Sequence, residues 1–317
     1  MRSILVIFPG ALGDLVCLIP ALRVLARQHP GASVELMARA ELARFATGRL
    51  LGGGDRSDGS SRGHSIDRRE LAQLFAAGRG PVAAEAQAFF GLFEHVYSFF
   101  AADDEHFRAA LDTASGGRAS YFSFRPPGSG HIAAAYLREI GAENPEAILG
   151  YSIELYREDM DLAEDRLAGL GLEAGHFVLI FPGSGSPAKN WPAENYASLT
   201  TMLIERMRPL VILGPAEAAL RPIFTAQAGL PVLTHLELAE VAALARLAAG
   251  FVGNDSGVSH LAAAAGAPGV VLFGPTDPAR WRPLGDTTVI RQEPLNSITP
   301  AAVAAALSEL ISIRKSA

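Results

Sequence analysis

Cysteine is almost absent. Cys17 stands alone in 317 residues, so no disulfide can form within the chain, and a cystine-stapled fold is excluded. One thiol and scattered histidines also fall short of any zinc-ligand spacing. Lysine is scarce as well: Lys189 and Lys315 stand against 25 arginines, and the net charge of −6 carries no basic footprint for nucleic acid. No uninterrupted apolar run reaches the roughly 18 residues that a membrane-spanning helix needs. The phosphate-loop pattern G-x-x-x-x-G-K-[ST], the dinucleotide fingerprint G-x-G-x-x-G and the nucleophile elbow G-x-S-x-G do not read out of the loops that matter below.

What the chain does have is apolar mass. Hydrophobic residues make up 49% and charged residues 19%, enough for two cores and too much for global disorder. Residues 1–150 carry 15 arginines against 16 acidic residues, while residues 151–317 carry 12 cations against 17 acids. An anion bound by the second half must therefore be held by local geometry, not by the overall field. Cys17 lies among Leu15, Val16, Leu18 and Ile19 and reads as a small buried apolar residue.

The opening segment has a superficial likeness to a secretion signal. Pro9, Gly10, Gly13 and Asp14 interrupt its apolar run, and it continues into an amphipathic pattern. It reads as a strand followed by a helix. Residues 4–8 predict a buried parallel strand, residues 15–28 a helix, and residues 33–37 a second strand: a β-α-β unit. Residues 52–64, rich in glycine, serine and charge, predict a mobile loop. Further on, the pattern predicts a helix at 68–77, an ambiguous phenylalanine-rich stretch at 89–100, a strand at 121–124 and a helix at 132–140. In the second half, strands are predicted at 177–181, 210–213, 231–233, 250–252 and 270–273. Helices are predicted at 193–205, 216–228, 237–247 and 256–265. Alternating β and α elements imply α/β domains with doubly wound parallel sheets, and the boundary falls near 150–170. We take residues 1–160 and 161–317 as the two domains, with the last helix free to pack back on the first.

Three loops follow strands, where ligands collect in open α/β sheets. The first is Pro9-Gly10-Ala11-Leu12-Gly13-Asp14. Asp14 admits two readings: a carboxylate capping a helix N-terminus, or a general base presented to a substrate. The second runs from Phe181 through Ser184, Gly185, Ser186 and Lys189 to Trp191 and Pro192. Backbone N–H groups, hydroxyls and one ammonium suit phosphate oxygens, although Lys189 also reads as a solvated loop cation. Trp191 reads as a structural anchor. The third is Gly253-Asn254-Asp255-Ser256-Gly257-Val258-Ser259-His260, with Asp255 or Ser256 as helix cap and the following N–H groups as an anion site. His260 is either a hydrogen-bonded or solvent-facing histidine, or one that lines a cleft. Glu217, after another strand, is a first-turn helix residue or an acceptor for ribose hydroxyls. A fourth segment, residues 273–278 with Trp281 and Pro283, has no helix pattern and predicts a rigid loop.

At these residues the chain resembles the heptosyltransferases of glycosyltransferase family 9. The resemblance rests on ILVIFPGALGDLVCLIPALRVL, PGSGSPAKNWPAENYASL and FVGNDSGVSHLAAAAGAPGVVLFGPTDPARW, in the family's order. Residues 40–150 match poorly. The resemblance implies the GT-B architecture, two Rossmann-like domains facing a cleft, with the acceptor side in residues 1–160 and the donor side in 161–317. It implies inverting, metal-independent transfer of a heptose or related sugar from an ADP-sugar to a lipopolysaccharide-core or other glycan acceptor. It assigns Asp14 and Lys189 catalytic roles, and Gly13, Ser184, Gly185, Ser186, Lys189, Glu217, Asp255, Ser256, Gly257 and His260 to the donor. No cofactor beyond the ADP-sugar co-substrate is expected, no metal pair of the D-x-D type lies in these loops, and no nucleic-acid partner is expected. The setting implied is cytoplasmic, with peripheral contact at the inner face of the membrane where a glycolipid acceptor would lie. Two alternatives stand beside this: a sugar-nucleotide epimerase of the same architecture, and a catalytically silent nucleotide- or glycan-binding protein.

Overall fold

Ser3–Ile7 (β1) is buried at every residue and forms the middle strand of a parallel sheet in a computed structural model of the chain. The structure describes residues 2–46, 48–50, 62–76, 81–204, 207–227 and 229–316. Two units divide at Leu149, the first Met1–Leu149 and the second Gly150–Ala317.

The first unit continues with Leu12–Gln28 (α1), Ser33–Ala38 (β2), Ala40–Ala46 (α2), Gly63–Ser65 (β3), Arg69–Ala76 (α3) and Ala84–Phe90 (α4). His95–Ser98 (β4), Glu105–Ser115 (α5), Ala119–Tyr121 (β5) and Ile132–Glu139 (α6) complete it. Its strands run parallel in the order β3-β2-β1-β4-β5. Leu5 and Ile7 of β1 and Val96 of β4 pack on Leu71, Leu74, Phe90, Phe107 and Leu111 from α3, α4 and α5. Each such side chain removed from water contributes about 1.5–3 kcal/mol. α5 shows how local chemistry sets element ends. Asp104 accepts a hydrogen bond from the Phe107 N–H at 3.0 Å, and Gly116 closes the helix in the left-handed region at φ 67°.

The second unit contains Arg157–Gly169 (α7), Phe177–Phe181 (β6), Ala193–Leu203 (α8), Arg208–Leu213 (β7), Arg221–Thr225 (α9), Val232–Thr234 (β8) and Leu238–Leu247 (α10). Gly250–Asn254 (β9), Gly257–Ala264 (α11), Gly269–Phe273 (β10), Pro278–Trp281 (α12), Thr287–Arg291 (β11) and Pro300–Ser316 (α13) follow. The strands are again parallel, in the order β11-β10-β9-β6-β7-β8. Counted from β6, that is the doubly wound order 3-2-1-4-5-6, and the direction of winding reverses between β6 and β9. Val303, Leu307 and Ile311 of α13 lie in this unit's core with Val178, Val252 and Val270.

The sequence expectations hold for both sheets and miss in places. The glycine-rich segment does not end as a loop: Gly63 and His64 pair as β3 beside β2. Residues 52–61 of it lie outside the described residues. The first unit's last strand sits at Ala119–Tyr121, earlier than expected, because it takes its register from β4. The helix expected over 216–228 is a 3-10 turn, Pro215–Leu220, followed by the short α9, since Pro222, inside that span, supplies no N–H for a continuous α ladder. The segment after β10 contains one helical turn, α12, with Asp277 accepting the Ala279 N–H at 3.0 Å. Cys17 is fully buried, as expected.

Candidate active site

In the second unit the winding reversal places the ends of β6 and β9 side by side, with Phe181 opposite Gly253. Close packing there requires glycine: a Cβ on Gly253 would stand 2.5 Å from the Ser259 Oγ. The loop after β6 therefore lies against the loop after β9. Lys189, at the end of the 3-10 turn Pro187–Lys189, donates to the Asp255 Oδ2 at 3.0 Å. The Thr276 hydroxyl, from the loop after β10, donates to the same oxygen at 2.7 Å. The Asp255 side chain is 6% exposed and the Lys189 side chain 31%, so the carboxylate faces inward while the ammonium reaches the surface. An ammonium has three donors, and one of them is spent on Asp255. Asp255 thus acts on Lys189 from behind.

Ser256 occupies the N-cap position of α11 in extended backbone, φ −148°, but its side chain caps no backbone N–H. Its hydroxyl meets the Ser259 Oγ at 3.2 Å, and the Ser259 hydroxyl donates to the Asn254 carbonyl at 2.7 Å. The expected cap position is occupied, and the expected cap bond is replaced by this hydroxyl chain. The start of α11, beginning at Gly257, keeps the partial positive charge of a helix N-terminus. Ser184 also turns inward on its own loop. Its hydroxyl donates to the Ser186 carbonyl at 2.7 Å and accepts from the Ser186 N–H at 3.2 Å. Gly185 between them is exposed.

Glu217 sits in the 3-10 turn after β7 and leans over the β6 loop. A Cβ on Gly183 would fall 2.2 Å from the Glu217 Cδ, so glycine there admits the carboxyl group. Burial pushes its pKa up from the ordinary 4.5. His260 is 3% exposed and lies 3.3 Å through Nδ1 from the Tyr151 hydroxyl, which accepts the Leu284 N–H at 2.8 Å. His260 is thus buried and hydrogen-bonded rather than solvent-facing. Trp191 is the anchor expected: 1% exposed, with its indole N–H donating to the Ile298 carbonyl at 3.0 Å. Sequence reasoning left Asn254, Thr276 and Tyr151 without roles. A buried asparagine after an apolar strand was the one available signal for the first.

In the first unit, Asp14 stands in the first turn of α1, beyond the end of β1, at the corresponding winding reversal between β1 and β4. It is 9% exposed, and its Oδ2 accepts the Ala11 N–H at 3.1 Å. A Cβ on Gly10 would stand 2.3 Å from the Phe8 ring and 2.7 Å from the Asp14 Cβ, so glycine is required for this turn to fold over Phe8. Phe8 is held by edge contacts with Phe99, Phe124 and Tyr136 at centroid distances of 5.5–5.8 Å. Asp14 therefore does serve the helix start, on a rigid floor. Among the described residues, no group of three or more His, Cys, Asp or Glu side chains could hold a metal ion, and no helix is long and apolar enough to cross a membrane.

A family model described as glycosyltransferase family 9 (heptosyltransferase) matches residues 129–301, more than half of the chain. Asp14 lies outside that match. Lipopolysaccharide heptosyltransferase 1 of Escherichia coli K12 is 27% identical over 168 residues, 52% of this chain and 53% of the relative. Lipooligosaccharide heptosyltransferase 2 of Haemophilus influenzae is 34% identical over 119 residues, 33% of each. The chain spans about half the length of the curated relatives it matches first. Among solved structures, a glycosyl transferase family 9 protein from Veillonella parvula superposes with a TM-score of 0.78 at 21% identity, covering 98% of this chain and 97% of that one. E. coli ADP-heptose lps heptosyltransferase II gives 0.73 at 20% identity over 100% of both chains. At these identities the likeness is one of fold, and it identifies the architecture as GT-B with Rossmann-like domains.

Proposed function

The chain belongs to glycosyltransferase family 9, the heptosyltransferase family, and from that premise we propose that it transfers a heptose or related sugar from an ADP-sugar to a glycan acceptor, with inversion and without a metal ion. The observation that carries this reading is the Lys189–Asp255–Thr276 cluster beside the start of α11 at the winding reversal of the second sheet. Breaking a sugar–phosphate bond leaves negative charge on the departing diphosphate. Lys189 and the α11 terminus supply fixed positive potential for it. The acceptor hydroxyl attacks the anomeric carbon from the opposite face. The new C–O bond forms as the bond to the diphosphate breaks, and the hydroxyl proton passes to Asp14. Glu217, beside the β6 loop, would accept ribose hydroxyls of the nucleotide.

The acceptor class follows the relatives, a lipopolysaccharide heptosyltransferase and a lipooligosaccharide heptosyltransferase. With a lipid-linked acceptor the setting is cytoplasmic, with peripheral contact at the inner face of the membrane. The test is a thermal-shift series with ADP, UDP, GDP and CMP compounds in EDTA, followed by a transfer assay. At about 100 times its dissociation constant, ADP should add roughly 2.7 kcal/mol of stability. A shift confined to UDP or GDP compounds, or abolished by EDTA, refutes the donor assignment. Turnover without an acceptor would instead mark an epimerase.

A further inference from the structure

Asn254 is fully buried at the end of β9, and every hydrogen-bonding function of its amide is used. Its Oδ1 accepts from the Trp191 backbone N–H and from the Tyr196 hydroxyl, each at 3.0 Å. Its Nδ2 donates to the Pro182 carbonyl at 2.8 Å and, at longer range, to the Gly183 carbonyl at 3.4 Å. Two donors on one side and two carbonyls on the other fix which way the amide points. Pro182 and Gly183 open the loop that carries Ser184, Ser186 and Lys189, and Trp191 closes it. A single side chain therefore ties both ends of that loop to the neighbouring strand, and the next residue, Asp255, holds its tip through Lys189.

We propose that Asn254 is a positioning residue for the diphosphate site: it presets the loop from Pro182 to Trp191 so that its N–H groups and Lys189 meet the ligand already ordered. The inference rests on the nucleotide-diphosphate reading given above. The chemistry admits few substitutes. Aspartate keeps the two acceptor contacts but turns a carboxylate on the Pro182 carbonyl, and leucine leaves donors and carbonyl unsatisfied in a dry site. Glutamine is one methylene too long for a packed position. The partners are themselves immobile. Tyr196 is fully buried, with its ring edge-on to Trp191 at 4.8 Å, and Trp191 is pinned through Ile298. A loop ordered during folding does not have to be ordered at binding, and ordering at binding is what weakens affinity.

The experiment compares ADP and AMP affinities by calorimetry for wild type, Asn254→Asp and Asn254→Ser, at a temperature where circular dichroism shows each variant folded. The β-phosphate should favour ADP over AMP by roughly 10- to 100-fold in the wild type. In both variants that ratio should fall towards one, with AMP affinity held within about threefold. A variant with a lower Tm but the wild-type ratio overturns the proposal, because a merely structural role weakens both ligands alike. If neither variant folds, Tyr196→Phe, which removes one donor to Oδ1, should lower the ratio by roughly two- to fivefold; an unchanged ratio there overturns the proposal equally. A wild type that does not prefer ADP to AMP defeats the nucleotide reading itself, and this proposal with it.

Discussion

On the proposed reading, removing the Lys189 side chain does more than delete one phosphate contact. Asp255 is 6% exposed on its side chain and shares its Oδ2 between Lys189 and Thr276. In Lys189→Ala the carboxylate keeps the Thr276 hydroxyl but loses its counter-charge, and its negative charge then faces the proposed diphosphate site. The lost charge-assisted hydrogen bond accounts for about 1.5–3 kcal/mol. Two like charges about 6 Å apart repel by about 3 kcal/mol at an effective permittivity of about 20, less where solvent screens them. A combined loss of about 2–4 kcal/mol corresponds to roughly 30- to 1,000-fold weaker ADP binding. Lys189→Ala/Asp255→Asn removes the stranded charge, so its loss should shrink to roughly 10- to 100-fold. Calorimetry on wild type, both single variants and the double variant closes the cycle, with a coupling of at least about 1 kcal/mol expected. A double variant that binds ADP no better than Lys189→Ala would refute the argument that Asp255 is felt at the ligand.

Asp14→Asn keeps an oxygen for the Ala11 N–H but removes the proton acceptor, so transfer should fall by about 10²- to 10⁴-fold with the melting point near wild type; full activity in an assay with saturating acceptor would dismiss Asp14 as the base. Glu217→Gln probes the half-buried carboxyl: its raised pKa favours the native state while it is protonated, and that contribution is lost as pH rises from the ordinary 4.5 through the raised value. Melting curves between about pH 4 and pH 7 should therefore show the variant gaining on wild type as pH rises, and a gap independent of pH refutes the burial argument. The same variant should bind ADP roughly tenfold more weakly if Glu217 meets the ribose.

Much of the molecule could be read before any coordinates. The run at residues 177–181 is apolar throughout, and β6 occupies those same residues, because a strand covered on both faces has no polar position to blur its ends. Short β-α spacing then dictates parallel sheets, and each glycine-bearing loop after a strand marks a carboxyl end where a ligand can sit. Less legible were elements with weak local patterns. β11 is only partly buried, with no alternation to betray an edge strand, and α13 is so rich in alanine that its buried face is marked by little beyond Val303, Leu307 and Ile311. The sequence could name Asp14 but not separate cap from base, since both need a carboxylate at the same helix start. It could name Lys189 and Asp255 as neighbours of an anion, but not as partners of each other. That pairing spans 66 residues, and Asn254 reaches 72 residues back to Pro182. Only the strand order, which sets β9 beside β6, brings them within hydrogen-bonding distance, and no local propensity encodes an order that depends on the packing of the whole sheet.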